Sequence, residues 1–313
     1  MRTAFIETLC EVAAANPRVF LVCGDLGYSV LEKFADLYPD RYLNAGVAEQ
    51  NMTGIAAGLA MAGYTVFTYS IANFPVMRCF EQIRNDVCYH NASVKVVAVG
   101  GGLAYGSQGY THHGVEDLAV MSALPNLVVA APADPVEARA ITRLFAATPG
   151  PGYLRLGKAG EPVLHKADTL IELGKAIQLD NGTALTIIST GGMLGTVLSA
   201  ASELRTHGLS SRILSMPFLV PLDHRAILDA ASQTGGILTV EEHGPGGLGT
   251  AVAELLAIHR CCVPFFPVRL PRSPIKISGS QEELRGMHGL SVAGIVSSAL
   301  EIARQSHSGA ALG

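Results

Sequence analysis

Tryptophan is absent from this chain, and charged side chains are scarce, at 15% of 313 residues. There is no basic run or basic–aromatic patch, and the net charge is a mild −4, which argues against nucleic acid as a partner. The six cysteines, Cys10, Cys23, Cys79, Cys88, Cys261 and Cys262, form no C-x-x-C pair, and no His/Cys cluster has zinc spacing. All six read as small core residues of a reducing compartment. The opening MRTAFIETLCEV carries charges throughout and lacks the apolar centre of a signal peptide, so a cytoplasmic location is expected. Repeats at a fixed period and low-complexity segments are missing too.

The longest uncharged stretch runs from Gln50 to Met77. It is long enough to span a bilayer. Gly63 divides it, however, and Thr65, Thr68, Tyr69, Ser70 and Asn73 fall in its second half. A buried helix over 49–62 followed by a strand over 64–69 explains it better than a membrane span.

What the chain does have is apolar material, at 49%, and 34 glycines. That profile suits α/β layers, and the length suits two domains. Strand-like runs VFLVCG (19–24), YLNAG (42–46), YTVFTY (64–69), VKVVAV (94–99), LVVAAP (127–132) and GYLRLG (152–157) alternate with amphipathic segments. Strands apolar on both faces and separated by helices predict a parallel sheet covered on both sides. Asp134-Pro135, with Glu137 close behind, is a helix start.

After a polar join around 158–182 the alternation resumes. It runs through ALTIIST (184–190), MLGTVLSAASELRTHG, SSRILSM, a helix near 223–232, GILTVEE (236–242), GLGTAVAELLAIHR, VPFFPVRL and a closing helix from about 291. The fold class is therefore α/β, with two doubly wound domains of mainly parallel sheets. We place the first at 1–165, a linker at 166–179 and the second at 180–313. The end, HSGAALG (307–313), is expected to fray.

Ligands of open α/β sheets gather at the carboxyl ends of strands. Four polar segments fall there in the first domain: CGDLGYS (23–29), NAGVAEQNM (44–52), GGLAYGSQGYTHHGVED (101–117) and YLRLGKAG (153–160). Glu49 opens a helix that is otherwise uncharged. It is either a charge complementing the helix dipole or a buried functional acid. The third segment adds glycines, which permit close backbone approach, and histidines, which exchange protons near neutrality. Gly191-Gly192-Met193-Leu194-Gly195 follows a strand but lacks dinucleotide-loop spacing. His243 reads as structural or as an interface residue.

GVAEQNMTGIAAGLAMAGY resembles the pyrimidine-binding motif of the transketolase and deoxyxylulose-phosphate synthase group. RCFEQIRNDV, GYTHHGVEDLAVMSALPNLVVAAPAD, YLRLGK and VEEHGPGGLGTAVAEL resemble transketolase sequences in the same order. The resemblance covers essentially the whole chain, as a pyrimidine-binding domain followed by the transketolase C-terminal domain.

The resemblance implies thiamine diphosphate as cofactor. Glu49 would bond a ring nitrogen of its aminopyrimidine and favour the imino form that takes the thiazolium proton. Phe74 would stack on the pyrimidine, with Tyr69 in reserve. Asp25, Leu26 and Arg78 would also face the cofactor. Ser29 and Arg155 match positions that bind a sugar phosphate. His112, catalytic with Glu49, would contact substrate hydroxyls or the donor carbonyl.

Two departures set the chain apart. The acidic residue usual four positions before that histidine is Gln108, and a histidine of the preceding strand end is Gly100, which would open space in the pocket. Also missing is the Gly-Asp-Gly motif with its downstream Asn pair, which binds diphosphate and Mg2+ in this family; Gly24-Asp25-Leu26 is no substitute. The implied partner is a second polypeptide that carries that motif and the metal ligands, in an α2β2 assembly. The expected activity is ketol transfer to an aldehyde, on an unusual sugar. The alternatives are a 2-oxo-acid dehydrogenase β-type subunit, a deoxyxylulose-phosphate-synthase-like subunit, and a non-catalytic regulatory homodimer.

Overall fold

Two sheets organise the computed structural model, which describes residues 1–309. In chain order the strands are β1 (Val19–Cys23), β2 (Tyr42–Asn44), β3 (Thr65–Ile71), β4 (Val94–Val99), β5 (Val128–Ala130), β6 (Gly152–Leu156), β7 (Ile177–Asn181), β8 (Leu185–Ser189), β9 (Ser211–Ser215), β10 (Phe218–Val220), β11 (Ile237–Val240) and β12 (Phe265–Val268). The first sheet has the order β10-β5-β6-β4-β3-β1-β2 and the second β12-β11-β8-β9-β7. Every pairing is parallel except β10 on β5 and β7 on β9. The strands β4, β6, β8 and β9 are buried at every residue, as expected where helices cover both faces.

The strand order fixes where a ligand can enter. From β1 the chain first adds β2 on one side and then returns to add β3 on the other, so β1 and β3 flank a topological switch point. The second sheet repeats this about β8, with β9 on one side and β11 on the other. Side chains and loops diverge at the carboxyl ends of such strand pairs and leave a crevice.

The uncharged stretch forms the helix Glu49–Met61 followed by β3, as its composition predicts. Asp134 caps the helix Pro135–Ala147 through the Glu137 N–H at 2.9 Å. Its second oxygen accepts from Leu164 and His165 N–H, both at 2.8 Å. Burial pushes the Asp134 carboxyl up, but the His165 side chain and these N–H bonds outweigh it and hold it near 2.

Three elements were not legible in advance. The strand β7 lies inside the presumed polar join, and its residues are only partly covered or exposed. The helix Gln281–Met287 begins with a capping box between Ser280 and Glu283. Most consequential, β10 leaves the second half of the chain and extends the first sheet, with Phe218 opposite Ala130. Cys261 and Cys262 correct the expectation of six core cysteines: Cys261 is only half-buried and Cys262 is exposed, because both lie past the end of the helix Leu248–Ile258. Of HSGAALG, residues 307–309 continue the helix Val292–Gly309, and 310–313 lie outside the described residues. By composition Gln281–Arg304 is long and apolar enough to cross a membrane, but Leu284, Leu290, Ile295, Ala299 and Ile302 are buried in the second core.

The segment after β11 staples the two halves of the chain together. Glu241 accepts from Leu248 and Gly249 N–H at 2.7 and 2.8 Å and so caps the helix Leu248–Ile258. Glu242 accepts from Leu103 N–H at 3.1 Å, from the Gln281 amide and from Arg285. His243 is structural: Nδ1 donates to the Gly244 carbonyl at 2.7 Å, leaving Nε2 to accept from Leu118 N–H at 3.1 Å. It thus caps the helix Asp117–Ser122 from the other half of the chain. Burial lowers its pKa to about 4, which keeps it neutral.

Candidate active site

The crevice between β1 and β3 contains Glu49. Its carboxylate is only 4% exposed, and a Cβ on Gly24, at the end of β1, would lie 3.6 Å from its Cγ. Arg78 Nη1 donates to both carboxylate oxygens, at 2.9 and 3.0 Å. The same guanidinium sits over the Phe74 ring, 4.1 Å from its centroid, and remains 49% exposed. Phe74 in turn meets His112 edge to face at 5.2 Å, and Tyr105 approaches His112 at 6.4 Å. Acid, planar cation, aromatic ring and imidazole therefore stand in one row. Thr111 Oγ1 pairs with His112 Nδ1 at 3.0 Å, and Asn73 Nδ2 donates to the Thr111 carbonyl at 2.6 Å. These contacts tie the His112 loop to the end of β3.

The loop after β1 supplies the opposite wall. Asp25 and Ser29 both adopt left-handed backbone, with φ of 57° and 62°, a conformation costly for residues with a Cβ. Asn44 compensates at Asp25: its amide donates to Asp25 Oδ1 at 2.9 Å and its oxygen accepts from Asp25 N–H at 3.0 Å. Ser29 N–H donates to Glu32 at 2.7 Å. Leu26 is half-buried, and Tyr28, between them, is 70% exposed.

Tyr69 lies elsewhere, in the core and stacked on Phe5 at 6.0 Å, whereas Phe74 stands next to Glu49's partner. Gln108 is exposed at the end of the turn Gly106–Gln108. Gly100 does not open space as expected. Its φ is +80°, and a Cβ there would collide with Tyr105, whose ring fills the volume.

Arg155 is 6% exposed and largely engaged: Nη2 donates to the Gly114 and Glu242 carbonyls at 2.6 and 2.9 Å, and Nε faces Asp117 at 3.1 Å. Lys158, three residues on and past the strand end, is the less buried cation, with Nζ 4.9 Å from the Tyr105 centroid. Sequence reasoning missed it, yet a signal existed: a residue inside a run apolar on both faces points into the core, whereas one beyond the carboxyl end faces the crevice. Tyr105 left no such signal.

The donor set fits an aminopyrimidine. Arg78 shows what the crevice accepts, since its guanidinium is planar, nitrogen-bearing, stacked on Phe74 and donating to buried Glu49. A flat heteroaromatic ring with N–H donors has the same chemistry. No group of three or more metal-ligating side chains occurs among the described residues.

Residues 1–160 match the family description "Transketolase, pyrimidine binding domain" and 174–295 match "Transketolase, C-terminal domain". The chain is similar to one of the apulose-4-phosphate transketolase subunits of Phocaeicola vulgatus, 38% identical over 97% of each chain. It is 34% identical to a 6-deoxy-6-sulfo-D-fructose transketolase subunit of a Clostridium species, over 96% of this chain and 94% of that one. A solved split-gene transketolase, described as an inactive β4 tetramer, superposes with a TM-score of 0.87 at 35% identity, covering 97% of each chain. These matches run nearly end to end, and with the Glu49 crevice they lead to one conclusion: the chain belongs to the transketolase family of thiamine-diphosphate-dependent transferases and carries its pyrimidine-binding and C-terminal domains.

Proposed function

We propose that this subunit, with a partner carrying the diphosphate- and Mg2+-binding domain, transfers a two-carbon ketol unit from an unusual ketose with an anionic group to an aldehyde. The observation that carries the reading is the row Glu49–Arg78–Phe74–His112 at the switch point of the first sheet. Bound thiamine diphosphate supplies the carbon nucleophile that accepts the ketol unit. Glu49 would hold a proton-sharing bond to its pyrimidine, which would stack on the Phe74 face that Arg78 now covers, and Asp25 and Leu26 would line the approach. Arg78 would turn toward solvent and stay beside the cofactor.

His112 holds and exchanges the proton at the substrate's oxygen, with Gln108 and Ser29 at the entrance. We assign the anionic tail to Lys158 in place of Arg155, whose donors are largely engaged inside the protein. The sugars named for the two relatives bear a phosphate and a sulfonate, consistent with a cation here. A glutamine amide at Gln108 both donates and accepts, unlike a carboxylate, which suits a less hydroxylated or branched substrate. Two copies of each subunit, α2β2 in the cytoplasm, complete the proposal.

The test co-purifies this chain with a second polypeptide that carries the Gly-Asp-Gly motif and assays ketose donors with aldehyde acceptors. The pair should turn over an anionic non-standard ketose, and Gln108→Asp should shift preference toward xylulose 5-phosphate. Full turnover by this chain alone would overturn the split-enzyme reading.

A further inference from the structure

The second sheet has a switch point of its own, between the carboxyl ends of β8 and β11, and neither Glu49 nor His112 belongs to it. A cavity of about 560 Å³ opens there, lined by Thr190, Gly191 and Gly192 after β8, Glu242 after β11, Arg285, and Arg155 from the first sheet. We infer that this cavity binds a small phosphorylated metabolite, with the phosphate against the Gly191-Gly192 turn.

Four observations converge on an anion. The turn leads directly into the helix Leu194–Thr206, whose first N–H groups have no partner within the helix and carry its positive dipole end. Gly191 has a φ of +61°, and Gly192 is exposed with no side chain to cover the backbone. The Arg155 side chain, more than nine-tenths buried, lines the cavity: Nη2 is taken by two carbonyls and Nε faces Asp117 without a hydrogen bond, while Nη1 has no hydrogen-bond partner among the described residues. Arg285 comes close to the same turn: a Cβ on Gly192 would lie 3.5 Å from its Nη2, and its Nε is buried without a hydrogen-bond partner among the described residues.

The carboxylates that line the cavity do not cancel this field. Glu242 is bonded to Arg285 at 2.7 Å, and Glu161 to the Met1 amino group at 2.6 Å. Lys158, assigned above to the ketose tail, stands only at the rim and is not among the groups that hold this ligand. Thr196 and Ser199, in the first and second turns of the helix, offer hydroxyls to the rest of the ligand. The cavity volume exceeds that of an inorganic ion and leaves room for a sugar- or nucleoside-sized body.

The inference stands apart from the ketol-transfer reading, because it needs neither Glu49 nor a partner subunit. Its test titrates the full chain with inorganic phosphate at constant ionic strength, by calorimetry and by thermal melting. Wild type should bind phosphate saturably and melt higher. Gly192→Glu places a carboxylate at the helix start beside Arg285, where it should occupy the site itself. That variant should keep its circular dichroism and weaken phosphate binding by roughly tenfold or more, the scale of losing charge-assisted bonds. If it fails to fold, Thr196→Glu makes the same test. Absence of saturable binding to wild type, or equal affinity in the folded variant, overturns the proposal.

Discussion

Arg78 donates from a single nitrogen to both oxygens of Glu49, at 2.9 and 3.0 Å, while its guanidinium covers the Phe74 ring. In this arrangement the acid is paired with a group that would have to leave before the cofactor proposed for this crevice could reach it. Because Arg78 is half exposed, the pair contributes only about 1 kcal/mol after solvent screening. Arg78→Ala should therefore tighten thiamine diphosphate binding to the reconstituted pair by only about fivefold. Calorimetry checks this, and weaker binding in the variant would mean that Arg78 contacts the cofactor directly.

Glu49→Gln should leave folding intact and suppress proton exchange at the thiazolium carbon by about 100-fold or more, the usual scale for losing a positioned acid–base group. Deuterium exchange followed by NMR in the assembled complex reads this step directly. Wild-type exchange would reduce Glu49 to a helix-start charge.

Lys158 and Arg155 should separate cleanly. Lys158→Ala should raise KM for an anionic donor by roughly 10- to 100-fold with kcat little changed, as expected for one charge-assisted contact to the tail. Arg155→Leu strips the cationic partner from buried Asp117, leaving it the Tyr153 hydroxyl, and should cost about 3–5 kcal/mol of stability. Steady-state kinetics and denaturant melts of both variants decide which cation meets substrate.

His243 sets an acid limit on stability. The unfolded histidine takes up its proton near pH 6.5, whereas the buried one resists until about 4. The stability contributed by the neutral form is full above pH 6.5 and is lost as pH falls through that window, by up to about 3 kcal/mol. Glu137 and Glu241, raised by burial to about 7, act in the opposite sense and cost stability as pH rises from 4.5 through 7. His243→Gln keeps an acceptor for Leu118 N–H without titrating, so its denaturation midpoint should fall less steeply between pH 6.5 and 4. An unchanged slope would assign the acid limb to another group.

Much of this architecture is written locally. Doubly buried strands such as VKVVAV and the capped start at Asp134-Pro135 announce themselves, because period, cap and burial agree within a few residues. Glu49 stands out because an uncharged helix isolates it. What stayed hidden depends on distant partners. Nothing local in PFLVP says that three residues will pair with β5, and nothing in EEH says that His243 will cap a helix 125 residues away in sequence. Gly100 reads as empty space until Tyr105 is seen to fill it.

The antiparallel strand β10 bears on where such an enzyme can be divided between genes. A polypeptide ending before residue 180 would leave β5 as an open sheet edge, with unpaired backbone groups and an apolar face bare to water. The two halves of this chain thus share one sheet and are interlaced through it. A break ahead of the pyrimidine-binding half leaves that shared sheet whole.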